Sequence, residues 1–208
     1  MLDRQKQRTT KVKIEGVIVS AYTADVFLRQ TARALGNLGD KTAAEPLIEA
    51  LKNENDIIQV KSEDSPTLEV ENEIVRMIIV EAIGKLQDER AIEPLVNTIK
   101  NDKSGMVRVT AAKALGVLVG DEQLPYSKEG GKKSQASFLS AKPVSDPRIA
   151  EVLIEALKGK DELLQMYAAK SLVMIGAKNA KKLIEETLEN VKDEYVRKNM
   201  EMILMSFP

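Results

Sequence analysis

One phrase occurs twice within fifty residues, and it constrains everything else. The pattern V-R-x-x-x-x-x-A-I/L-G-x-L runs from Val75 to Leu86 and again from Val107 to Leu118. The first copy is followed by D-E-R-A-I-E-P-L, Asp88 to Leu95. A self-similar unit this short cannot bury its own apolar face, so it must stack on neighbours of its own kind.

Further copies follow from the residue after a small one: Leu35, Ile83, Leu115, Leu172 and Leu204, spaced 48, 32, 57 and 32 residues apart. Two spacings give the unit as 32, and the longer two locate insertions of 16 and 25 residues. Ala34-Leu35-Gly36 matches Ala82-Ile83-Gly84 and Ala114-Leu115-Gly116, and Asp40, Pro46 and Leu47 match Asp88, Pro94 and Leu95. The third copy is interrupted after Gly120 and resumes at Asp146. The fourth has Val173 in place of the glycine and Gln165 in place of the arginine; Tyr195 to Phe207 is half a unit.

Each unit holds two helical segments. Residues 107, 111, 114, 115 and 118 are apolar or small at the spacing of one helix face. Leu47, Ile48 and Leu51 repeat this in the second segment, as do Leu95, Val96 and Ile99. Asp40 and Asp88 stand where an N-cap acceptor is wanted. Pro46 and Pro94 lie several residues past those caps, so either the helix starts later or its first turn is bent.

The recurring Ala-Leu-Gly, Asp and Pro-Leu resemble the HEAT-like repeat, above all the short form named after phycobilisome (bilin) lyases, over Phe27 to Phe207 apart from the insertions. The resemblance implies an all-α, armadillo-like α-solenoid of about four helix pairs, with terminal caps and two edge insertions. It also implies that the second helices line the concave side. The repeat serves many unrelated functions, so it identifies a fold more than an activity.

The expected organisation is an N-terminal tail and capping segment over 1–26 and a repeat solenoid over 27–208, with insertions near 54–72 and 121–145. Val12 to Ala24 reads as an amphipathic capping helix in preference to a strand. In the first insertion apolar residues alternate around Ser65-Pro66, which fits a small hairpin as well as an irregular loop. The second insertion, with Gly130-Gly131 and several Ser and Lys, reads as a loop. The net charge of −1 hides an acidic first insertion, a basic second one and a basic N-terminus.

Absent residue types carry the firmest chemical statements. No cysteine means no disulfide or thiolate chemistry, and no histidine removes the commonest general base and zinc sites built on His or Cys. The His-Glu metal site of deoxyhypusine hydroxylase, a HEAT-like enzyme, is therefore excluded, and without Trp the chain is a poor match to HEAT-like DNA glycosylases. Gly130-Gly131-Lys132-Lys133-Ser134 fails the phosphate-loop pattern, with Tyr126 where a glycine is required and Lys133 where Ser or Thr is. No cofactor is expected. Neither a signal peptide nor a membrane-spanning apolar run is found, so the expected location is cytoplasmic.

Arg76, Arg108 and Arg197 recur at one repeat position and Asp40, Asp88 and Asp146 at another, which reads as a ladder of charge pairs tying adjacent units. The candidate partner-binding residues are Glu45, Glu49, Glu93, Asn97, Glu151 and Glu155, at equivalent places on the second helices. The favoured reading is a non-catalytic scaffold or adaptor that binds a protein or peptide on the concave helix face. One rival is a subunit of a bilin-lyase-like or other heteromeric modifying enzyme. Another is weak nucleic-acid binding through the basic N-terminus and the Lys128–Lys142 loop, against which the near-zero net charge counts.

Overall fold

A computed structural model describes residues 19–53, 58–62, 65–70, 73–119 and 146–207. Among them lie nine α-helices and one hairpin. In chain order these are α1 (Val19–Leu38), α2 (Ala44–Asn53), β1 (Ile58–Ser62), β2 (Ser65–Val70), α3 (Glu73–Lys85), α4 (Ile92–Asn101), α5 (Gly105–Val119), α6 (Pro147–Leu157), α7 (Glu162–Met174), α8 (Lys181–Leu188) and α9 (Glu194–Met205). The odd helices carry the V-R…A-L-G segment and the even ones the P-L segment. The result is four helix pairs and one unpaired helix, an all-α solenoid.

Helix α1 runs unbroken through the boundary expected between residues 26 and 27, so no change of element falls there. Within the first insertion β1 and β2 pair antiparallel, with Ile58 opposite Val70 and Val60 opposite Leu68. The loop expected over 121–145 and the polar tail at the N-terminus lie outside the described residues.

The prolines find a simple resolution. A single 3-10 turn, Lys41–Ala43 or Glu89–Ala91, separates each aspartate cap from its α-helix. The helix therefore starts later, and Pro46 and Pro94 are its third residues. First-turn N–H groups have no acceptor within the helix, so a proline there forfeits no hydrogen bond. In the third unit Pro147 is itself the first helical residue, directly after the Asp146 cap.

Packing differs sharply between the two rows. α1, α3, α5, α7 and α9 stack side by side through a ribbon of buried aliphatics, among them Ile79, Ile83, Leu115 and Leu172. The A-L-G motif sets how close they come. A methyl group added at Gly36 would sit 2.7 Å from Ala82 Cα, at Gly84 2.7 Å from Ala114 Cβ, and at Gly116 2.7 Å from Ser171 Oγ. Each glycine thus receives the alanine, or the serine, one unit later. Ser171 also donates from its hydroxyl to the Ala112 carbonyl at 2.8 Å, which satisfies the polar group it brings into that seam. No such close seam joins the even helices: α2 and α4 are separated by a cavity, and α4 and α6 are bridged by long charged side chains.

A stack spaced closely along one row and widely along the other bends toward the close row. Because the small residues belong to the odd row, this spacing predicts the odd helices on the inner side and the even helices on the outer, the opposite of the placement that the resemblance implied.

Candidate partner-binding surface

The six expected residues do not form one continuous stripe. Glu45, Glu93 and Asn97 come together around a cavity of about 510 Å³ between α2 and α4. Ile48, Leu51 and Pro94 contribute its apolar lining, and Lys52 and Asn101 stand at the end away from Glu45. Such a volume lies within the range of sites that take a small molecule or a few residues of peptide. Glu49, Glu151 and Glu155 do not line it.

Glu93 and Glu155 are engaged by cations of a neighbouring unit. Glu93 accepts from Arg148 at 2.6 Å, and Glu155 pairs with Lys100 at 3.1 Å. Both bridges join α4 to α6, so the acidic face is partly neutralised by the next unit. Asn97 accepts from Asn101 at 2.7 Å, one helical turn on, which leaves its amide NH2 directed elsewhere. The cavity is therefore mixed in character, with Glu45 and Arg90 at one end and Lys52 at the other. These ends follow the helix dipole, acids in the first turn and lysines in the last.

The expected ladder exists, but its rungs are different. Arg76, only 1% exposed, makes a two-pronged contact with Asp102 at 2.9 and 3.1 Å. Arg108 donates to Asp161 at 3.1 Å and to the Asp102 carbonyl at 3.0 Å. Arg197 donates to the Val191 carbonyl. Each arginine thus staples the segment that leads from one unit into the next, and Gln165 does so in the fourth unit by donating to the carbonyls of Leu157 and Gly159.

Asp40, Asp88 and Asp146 do not meet those arginines. Each accepts the backbone N–H two residues on, from Thr42, Arg90 and Arg148, at 2.9 Å. That cap is reinforced in two units by the arginine itself, whose guanidinium folds back onto the same carboxylate. The Arg90 contact holds the Asp88 carboxyl down at about 2, and Arg148 lowers Asp146 for the same reason. Arg90 then reaches the Lys41 carbonyl of the preceding unit at 2.9 Å, as Arg148 reaches Glu93. These two arginines were missed as site residues, although Asp-x-Arg occurs at both places.

Among the described residues no His, Cys, Asp and Glu cluster is arranged to hold a metal ion, and no helix is long and apolar enough to cross a membrane. The Gly130–Ser134 stretch, the basic N-terminus and the Lys128–Lys142 loop lie outside the described residues.

Residues 28–53 match the PBS lyase HEAT-like repeat, and residues 66–128 match the family of HEAT repeats. The helix pairs within those spans are HEAT-like repeats. The matched spans take in the second half of α1, all of α2, most of β2 and all of α3 to α5. No curated protein matches the HEAT-like chain. Among solved structures, the complex of CpcE and CpcF of phycocyanin lyase from Nostoc sp. PCC7120 aligns over 93% of this chain and 91% of that one, with 19% identity and a TM-score of 0.32. A superposition that loose carries no argument about activity.

Proposed function

We propose that this repeat array, which we take to span 27–208, is a non-catalytic cytoplasmic scaffold or adaptor that seats a protein or peptide segment between α2 and α4. The observation that supports it is the cavity of about 510 Å³, lined by Ile48, Leu51 and Pro94 and edged by Glu45, Glu93 and Asn97. An apolar floor with a few polar groups at its rim suits an inserted side chain flanked by backbone amides. Glu45 and Arg90 give their end of the cavity one charge of each sign, and the Asn97 amide supplies a hydrogen-bonding group for a peptide backbone. Glu49, Glu151 and Glu155 belong, on this reading, to the surrounding rim.

The test is a photo-crosslinking residue placed at Asn97, with the same residue at Glu185 on α8 as control, in cells of the source organism. The proposal predicts one dominant protein adduct at position 97, absent at 185, and lost when Glu45→Lys and Leu51→Glu are added. Equal labelling at both positions, or an adduct indifferent to those changes, contradicts it. A second reading, a subunit of a heteromeric modifying enzyme, is favoured by the match of residues 28–53 to the PBS lyase HEAT-like repeat. It predicts that the adduct is another HEAT-repeat chain and that a covalent modification is lost when this gene is deleted.

A further inference from the structure

The inner row carries a second surface that the even-helix groove does not use. Two residues before each anchor leucine or isoleucine stand Arg33, Glu81, Lys113 and Lys170, one on each of α1, α3, α5 and α7. Being equivalent repeat positions on helices stacked side by side, they form a row across the inner face. Glu81 is held by Lys85 of its own helix at 2.9 Å. Its carboxyl is lowered first by that contact, and the charges of Lys113 and Arg33 add to it. One acid in this row therefore faces several cations.

Lys113 is compensated from the neighbouring α3, where Glu81 feels its charge, and Lys170 stands one helix further away. Along α5 the residues one turn before and after Lys113 are Val109 and Val117, and along α7 those flanking Lys170 are Met166 and Met174. No carboxylate is thus within helical reach of either on its own helix. Lys170 is half-buried, and burial first, then the nearby Lys113, lowers its pKa. Lys170, half-buried beside the exposed Lys113, is the cation of this row that an added carboxylate would favour most.

The surroundings are apolar where a solvated helix face would be polar. One repeat position further out holds Met106, 45% exposed, and Leu163, partly buried. Tyr167 lies one turn before Lys170 and is also partly open. On the adjoining α9, Met202 takes the place of the lysine and is 37% exposed. Exposed methionine and a partly open tyrosine around a half-buried lysine are the composition of a protein-docking surface rather than of a solvated face.

We propose that the inner face of α5 and α7, with Lys113 and Lys170 at its centre and Met106, Leu163, Tyr167 and Met202 around them, docks an acidic, apolar-flanked segment of a partner protein. Its carboxylates complete the lysine pair and its apolar side chains cover the methionines and the tyrosine. This surface stands on the other row of helices from the outer groove. The two together give one chain the means to hold two different segments at once, which is what an adaptor requires.

The experiment uses the full chain and a set of fluorescent peptides with two Glu residues among Leu and Phe, a matched set with Lys in place of Glu, and a single-stranded oligonucleotide. The wild type is expected to prefer Glu peptides over Lys peptides at least tenfold, and Lys113→Met with Lys170→Met is expected to remove that preference. The same double variant is expected to unfold at higher urea than the wild type, because the half-buried Lys170 charge and its repulsion by Lys113 are gone. Lost binding with raised stability cannot be a folding failure. Equal affinity for Glu and Lys peptides, tightest binding of the oligonucleotide, or a Glu preference that survives in the variant would each overturn the proposal.

Discussion

The odd and even helices of this solenoid are made of similar aliphatic residues yet solve different problems. Along the odd row, glycine meets alanine at every described junction up to α7, where Ser171 takes the alanine's place. Along the even row, neighbours touch through Arg148–Glu93 and Lys100–Glu155 or stand apart around a cavity. The contrast teaches that the two rows cohere differently. The close row joins its neighbours directly, while the open row buries Leu95, Leu153 and Leu157 against the close row and leaves its outer surface free to vary. α7 makes the same point at its far side: Val173 occupies the glycine position, and Ile203 stands at the alanine position of α9.

Breaking the comparison begins with the arginines. Arg76→Ala strips Asp102 of its partner in a contact whose side chains are 2% and 5% exposed, whereas Arg148→Ala opens one whose side chains are 50% and 69% exposed. Loss of one member of a buried pair costs about 3–5 kcal/mol, and loss of an exposed one about 0–1 kcal/mol. Urea denaturation of the two variants should show that separation. Similar losses would mean that the two rows are equally structural.

Next in size is the glycine seam. Gly84→Val places its Cβ against Ala114 Cβ and, at 2.9 Å, against Ala114 Cα, and backbone cannot rotate aside. Overpacking of this kind costs about 1–3 kcal/mol, and the fixed backbone puts this case at the upper end. Asn97→Ala on the open row should stay within about 0.5 kcal/mol. The same denaturation series reads both.

Acid titration sharpens the role of the caps. Asp88 has a folded pKa of about 2, below its ordinary value of 3.8. Its stabilising contribution is therefore complete above pH 4 and is lost as pH falls from there toward 2. Asp88→Asn should flatten that part of the stability profile, while Asp40→Asn, which lacks a folded-back arginine, should flatten it less. The smallest effect is a gain. Gln87 holds a left-handed backbone, φ 49°, where the equivalent positions are Gly39 and Gly176. Gln87→Gly relieves that strain but also gives up the contact to the Val117 carbonyl, so the net change should be below about 1 kcal/mol.

Much of this was legible in the chain. The number of pairs, the cap aspartates and the existence of an arginine ladder followed from recurrence, because every unit meets the same junction. The partners of the arginines were not, since Arg76–Asp102 and Arg108–Asp161 join residues far apart and no local pattern states which acid closes the contact. Arg90 and Arg148 were within reach, as Asp-x-Arg places a guanidinium over its own cap. The inner side of the bend was also within reach. Ala-x-Gly on the odd row marks where backbones approach, and the row of closest approach is the inside of a curve. The candidate site was only partly readable, since equivalent positions on Glu45, Glu93 and Glu151 say nothing about which neighbouring pair of helices separates.

The most direct test is a pair of distances. The chain has no cysteine, so two can be introduced for spin labels without competition. Labels at Arg33 and Lys113 span two units along the odd row, and labels at Glu45 and Glu151 span the same two units along the even row. The account predicts a clearly longer mean distance for Glu45–Glu151. An equal or shorter one would contradict it, placing the even helices on the inside and the close row nowhere.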